Sequence, residues 1–212
     1  MLRTYLILFI GVIIIGSHYP IAFAQQSAQE LSKLALEECQ KGRIADTRDV
    51  RMGHFERAEA IAERAIEADE QYAEAHFALF CSLGEQMRID GPPSFSSIFG
   101  YNRLMDELNR TLELEPQHID AMSSKGTLLV KLPSILGGDA KKGEEMLHEV
   151  IKLEPAAINA RLVIAQNCES RGEHEKALEL ATKALEIAKV EKRKDLIPEA
   201  EAVLSQLQKK MN

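Results

Sequence analysis

Residues 158–191 read INARLVIAQNCESRGEHEKALELATKALEIAKVE. Two helical stretches meet at Gly172, and the second carries small residues at Ala177, Ala181 and Ala184, at relative spacings 0, 4 and 7. Positions three and four apart lie on one face of a helix, so these alanines form a stripe that another helix can approach closely. The spacing returns upstream as Gly143, Leu147, Val150, as Leu104, Leu108, Thr111, and as Ala58, Ala62, Ala65. A helix-ending position follows 12 residues after each start: Pro155, Pro116 and Glu70, with Lys189 in the last copy where a proline would fit. Recurrence of a phrase at 20–50 residues marks a protein of stacked repeats.

Working outward, helical periodicity covers almost everything after Gln25. It predicts helices over 30–41, 55–68, 72–87, 97–114, 118–132, 140–153, 157–171 and 173–189, and a last one over 196–210. Ala, Leu, Glu and Lys dominate these segments, in agreement with the pattern. Strand-like alternation of useful length is absent. The connections have local causes. Glu115-Pro116 and Glu154-Pro155 end helices, because a residue before proline avoids the helical region. Gly172 ends another as a C-terminal glycine. Asp139, after Gly137-Gly138, offers its carboxylate as an N-cap.

The unit at 158–191 resembles a tetratricopeptide repeat, a helix–turn–helix of 34 residues. Ile164-Ala165 take the place of the first-helix Leu-Gly pair and Cys168 that of the aromatic. Gly172 sits at the turn, and Ala177 and Ala184 fill the small positions of the second helix. The resemblance implies an all-α, right-handed solenoid of about four such hairpins over residues 25–212. It also implies a polar-backed C-terminal helix, with Leu196, Ala200, Val203, Leu204 and Leu207 on one face, that caps the array. The competing reading makes that helix an oligomerisation element. Such a resemblance identifies a fold and leaves activity to be argued from sites.

Leu104 lies 46 residues after Ala58, Gly143 39 after Leu104, and Ala177 34 after Gly143. The second unit thus carries 12 extra residues and the third 5. Both are expected in the turn between first and second helices, at Asp90-Gly91-Pro92-Pro93-Ser94-Phe95 and at residues 132–139. Insertions at matching turns gather on one edge, often the functional one. Their apolar residues (Phe95, Ile98, Phe99; Ile135, Leu136) predict a lip over a groove, and neutral loop growth is the alternative. The proline followed by Leu-Gly-Gly-Asp also resembles exported tetratricopeptide proteins associated with TRAP-type solute transporters. A left-handed backbone before an Asp cap accounts equally for the two glycines.

The first residues carry a different signal. Arg3 precedes an apolar run from Leu6 to Gly16, and Ala22-Phe23-Ala24 places small residues where a signal peptidase reads. Residues 1–24 are therefore expected to be a secretory signal peptide, and export to the periplasm or the cell exterior follows. An uncleaved anchor would need about 20 apolar residues, and His18, Tyr19 and Pro20 interrupt the run. The 212-residue chain carries a formal charge of −7. That balance argues against nucleic acid, whose recognition needs clustered Lys and Arg. The one basic cluster, Lys189 with Lys192, Arg193 and Lys194, suits a helix C-terminus. Cys39, Cys81 and Cys168 all fall in apolar-periodic stretches, so buried thiols are the default. A Cys39–Cys81 bridge between neighbouring units remains open.

No phosphate loop, zinc helix or nucleophile elbow occurs. The five histidines after the leader (His54, His76, His118, His148, His174) have no second histidine within three or four residues, and exposed helix or turn positions are expected for most of them. No catalytic residue, metal or cofactor is therefore expected. The chain reads as a non-enzymatic scaffold whose concave face, built from first helices, holds one or more protein partners. Projecting the register places Glu74, Phe77, Cys81 and Glu85 of the second unit on that face. It adds Asp120, Ser123, Thr127 and Lys131 of the third, and Asn159, Leu162, Gln166 and Glu169 of the fourth. Some family members hold an acidic peptide terminus with a lysine–asparagine clamp. Here the asparagine positions read Cys81, Thr127 and Gln166, so that clamp is missing. The second reading is an accessory of TRAP-type uptake that binds a transporter subunit or a small apolar ligand. A closed apolar pocket under the insertions would favour it, and an open polar groove would favour the adaptor.

Overall fold

The computed structural model describes residues 26–90 and 95–211. The expected signal peptide and residues 91–94 of the first insertion lie outside them. Helices α1 (Ala28–Ile44), α2 (Arg48–Ala68), α3 (Ala73–Asp90) and α4 (Phe95–Leu114) form the first two hairpins. Helices α5 (Ile119–Lys131), α6 (Ala140–Leu153), α7 (Ile158–Ser170) and α8 (His174–Val190) form the next two, and α9 (Ile197–Met211) closes the array. There is no strand among the described residues. The architecture is an all-α solenoid of four hairpins with a capping helix.

The recurrent phrase is the reason. All twelve of its residues are buried, from Ala58, Ala62 and Ala65 in α2 to Ala177, Ala181 and Ala184 in α8. Small side chains there let neighbouring helices come close. Helices α5 and α6 come backbone to backbone at Gly126 and Gly143. A Cβ on Gly143 would lie 2.7 Å from the Gly126 carbonyl oxygen and 2.9 Å from the Val130 nitrogen. Such distances exclude any side chain unless the backbone moves.

Caps and turns fix the ends. Ser27 and Glu30 form a reciprocal capping box on α1, Thr47 caps α2, and the Asp139 carboxylate accepts from the Lys142 N–H. Units are joined by one repeated turn, in which the N–H groups of Tyr72, His118 and Ala157 donate to the carbonyls of Asp69, Glu115 and Glu154. Lys189, read as a helix-ending position, lies inside α8, which continues to Val190. No proline stops it there.

The two insertions differ in kind. In the third unit the extra residues form a true connection, 132–139, with one 3₁₀ turn at Ser134–Leu136. Gly137 adopts φ +86°, and a Cβ on Gly138 would sit 1.8 Å from the Leu132 oxygen. Only glycine serves both places. In the second unit the surplus lies mostly in the helices on either side of the expected loop, whose residues 91–94 are outside the described ones: α3 has 18 residues against 13 in α7, and nine residues of α4 precede Leu104 against three of α8 before Ala177. The first hairpin is equally long, with ten residues of α2 ahead of Ala58. The N-terminal hairpins therefore extend beyond the others by roughly two turns, about 10 Å.

The core falls into two bodies. One joins α5 to α9, and includes Leu147, Ile164, Cys168, Ala200, Val203 and Leu207. The apolar face of α9 is spent inside this body, as a cap requires. The other joins α1 to α4 around Leu31, Ala35, Cys39, Phe55 and Leu79. Phe77, Leu108 and Ala121 bridge them.

Candidate functional site: a groove along the first helices

The first helix of each hairpin contributes to one continuous groove. Its first lobe, about 520 Å³, is walled by Leu36, Gln40 and Arg43 of α1, by Phe77, Phe80, Cys81, Gly84, Glu85 and Arg88 of α3, and by residues of α5 and α7. The second, about 450 Å³, continues over Thr127, Leu128 and Lys131 of α5, Val163 of α7 and Glu199 of α9. Phe80, Glu85, Arg88, Ser123, Ser124 and Asn159 line both. The bridge at the base of α3 and α5 defines where the groove opens. The Phe77 ring lies 4.8 Å from the His118 ring, and His118 Nε2 is 2.9 Å from the Glu74 carboxylate. His118 Nδ1 accepts the Ala121 N–H at 3.3 Å, so the neutral Nε2–H tautomer serves both contacts.

Of the residues projected onto this face, the structure brings Phe77, Cys81, Glu85, Asp120, Ser123, Thr127, Lys131 and Asn159 to the groove wall. Phe77 is only 7% exposed and acts mainly as bridge. Leu162 is placed elsewhere: at 2% exposure it is packed within the C-terminal core. Val163, one position on, faces the groove in its place. Gln166 and Glu169 line neither lobe, and Glu169 pairs with Lys210 of α9 at 2.5 Å. Glu74 is engaged with His118. Ile135 is 92% exposed and Leu136 54%, and neither lines the groove, so the second insertion forms no roof over it. Phe95, Ile98 and Phe99 lie outside the described side chains.

The register missed Arg43, Arg88, Leu36, Gln40 and Phe80. Arg43 continues Leu36 and Gln40 at helical spacing, and Arg88 continues Phe77, Cys81 and Glu85. The signal was present, but Arg43 lay two residues past the end expected for α1 and Arg88 one residue past that expected for α3. Arg43 Nε donates to Glu85 at 2.6 Å, and Arg88 Nε donates to the other oxygen at 2.9 Å. Burial favours the neutral acid, but the two guanidiniums outweigh it and hold Glu85 below the usual carboxylate range.

Cys39, Cys81 and Cys168 are free thiols. Cys81 packs against the Cys39–Phe55–Ala58 cluster. Burial pushes the Cys39 thiol up to about 11 and the Cys81 thiol up to about 12, so both are protonated at neutral pH. The expectation of mostly exposed histidines fails at two positions, since His76 and His118 are 5% and 6% exposed. Among the described residues, no three His, Cys, Asp or Glu side chains are placed to hold a metal ion. No described helix is long and apolar enough to cross a membrane.

Fold and groove together define a class: helical-hairpin solenoids of the tetratricopeptide type, which present a concave surface. Among solved structures, the chain is similar to TTC0263, a tetratricopeptide protein of Thermus thermophilus, with TM-score 0.54, 18% identity, and coverage of 84% of this chain and 98% of that one. It is similar to pilF of Pseudomonas aeruginosa, with TM-score 0.52, 14% identity and coverage of 84% and 75%. A MamA crystal structure gives TM-score 0.51, 20% identity and coverage of 78% and 81%. At these identities the likeness is one of fold. No family signature and no curated protein sequence matches the chain.

Proposed function

We propose that this protein is an exported, non-enzymatic scaffold that binds a protein partner in the groove along α1, α3, α5 and α7. The observation that carries the reading is the groove's lining. Phe80, Leu128 and Val163 offer apolar contact between polar side chains that make no hydrogen bond within the described protein, namely Gln40, Ser123, Ser124 and Asn159. A polar face without internal partners, beside an apolar strip, suits an extended polypeptide that brings both backbone and side chains. Export rests on Arg3, the apolar run 6–16 and Ala22-Phe23-Ala24. The groove is open and mixed in polarity, which favours the adaptor over the transporter accessory. The Gly137-Gly138-Asp139 turn that prompted the latter has a local cause in backbone geometry.

Affinity purification from the native cell envelope tests the proposal. Ser124→Trp with Asn159→Trp places two bulky uncharged rings in the groove without touching the core. Partners recovered with wild type should be lost from the double variant while its thermal midpoint is kept. Retention of every specific partner would overturn the groove reading.

A further inference from the structure

We propose that the occupant is an extended protein segment with an acidic residue beside an apolar one, its carboxylate seated against Arg43, Arg88 and Lys131; this rests on the groove reading above. These three cations stand in the last turns of α1, α3 and α5, which brings them to one lip of the groove. Cations suit that place, since helix C-termini carry partial negative charge. Among the described side chains that line this lip, Glu85 is the one acid, and both its oxygens are already taken by Arg43 and Arg88. Its side chain is 13% exposed, against 43% for Arg43 and 58% for Arg88, so the carboxylate is sunk and the guanidiniums stand outward. Lys131 has no partner among the described residues. The described side chains of the lip therefore carry a surplus of two positive charges on a chain whose net charge is −7.

Asp120 and Glu199, in the first turns of α5 and α9, line the same groove from the opposite helix ends. The groove is thus polarised across its width, and an acidic side chain is repelled from one lip and drawn to the other. Phe80 and Leu128 lie between, and they require an apolar group that a small free anion lacks. The lip uses none of the three positions matched to the clamp's asparagines, Cys81, Thr127 and Gln166. It depends on the extra turns of α1 and α3, which carry Arg43 and Arg88 to the rim beside Glu85.

Selection of an array of randomised nonapeptides on the purified protein tests this, with affinities of enriched peptides read by fluorescence anisotropy at low and high salt. Enriched peptides should carry Asp or Glu next to Leu or Phe. Arg88→Glu with Lys131→Glu should weaken them at least tenfold and abolish the acidic preference. High salt should weaken binding to wild type and leave the variant little changed. Should the double variant unfold, Lys131→Glu alone serves, since it breaks no internal pair. Enriched peptides without acidic preference, or indifferent to charge reversal, would overturn the inference and leave the groove reading standing. No enrichment, or enriched peptides that still bind the Ser124→Trp/Asn159→Trp variant, would overturn both. Displacement of every enriched peptide by millimolar glutarate alone would reduce the site to one for small anions and overturn the segment as occupant.

Discussion

His76 is the residue whose surroundings demand most. Nδ1 lies 2.7 Å from the Glu107 carboxylate on α4, and Nε2 lies 2.9 Å from the Glu70 carbonyl in the turn before α3. Both neighbours only accept, so both ring nitrogens must donate and the imidazolium is the form that fits. Burial and the nearby Arg110 oppose the charge, but Glu107 and the Glu70 carbonyl outweigh them and raise the pKa above 6.5. A raised folded-state pKa gives stability that is fully present below the unfolded value, near 6.5, and is lost as pH rises through the folded value. The stability gap between wild type and His76→Gln, measured by urea denaturation, should therefore shrink as pH rises from 6 to 8.5. A gap that does not change with pH would show that His76 is not held charged. None of this was legible in the sequence. His76 shows no motif, and its partners are a carboxylate 31 residues away and a backbone oxygen. Leu162 failed differently: four neighbouring positions of α7 are buried, so periodicity could not choose which one faces the groove.

At the scale of elements, the phrase was legible because burial acts on side-chain size. Ala, Gly and Thr recur where helices touch, and the touching is what the spacing records. The helix pair α5–α6 shows its limit case. Gly143→Ala would gain up to about 1 kcal/mol of helix propensity, yet its Cβ would strike the Gly126 oxygen. The expected net effect is a loss of about 1–3 kcal/mol, as for an overpacked core. Gly100→Ala is the matched control. It lies in α4 with nothing within 4 Å of the added atom, and should be neutral or stabilising. Thermal unfolding of both variants checks the pair. The insertions were legible as lengths, and in the second unit largely as helix too. A step of 46 residues does not by itself say whether the extra chain is loop or helix, but apolar periodicity carried the expected helices over 72–87 and 97–114. The observed α3 and α4 reach three residues further at one end and two at the other, since Arg88 and Ile89 continue a run of good helix formers and Gly91-Pro92-Pro93 offered no sharper boundary.

At the scale of the molecule, two packed bodies meet at Phe77, Leu108 and Ala121, and the groove spans both. The fold could be read from the sequence because each hairpin repeats the same physical problem. The groove could be read only in part, because its rim depends on how far α1 and α3 extend beyond the repeat. Those extra turns supply Arg43 and Arg88 around Glu85, and so give this solenoid a polarised surface of its own. The central claim is that the face of the first helices is the binding face. A photo-crosslinking amino acid placed at Ser123 or Asn159, and at Lys183 on the exposed side of α8, tests it in the living cell. Covalent adducts should form from Ser123 and Asn159 and be absent from Lys183. Adducts from Lys183 alone would contradict the account.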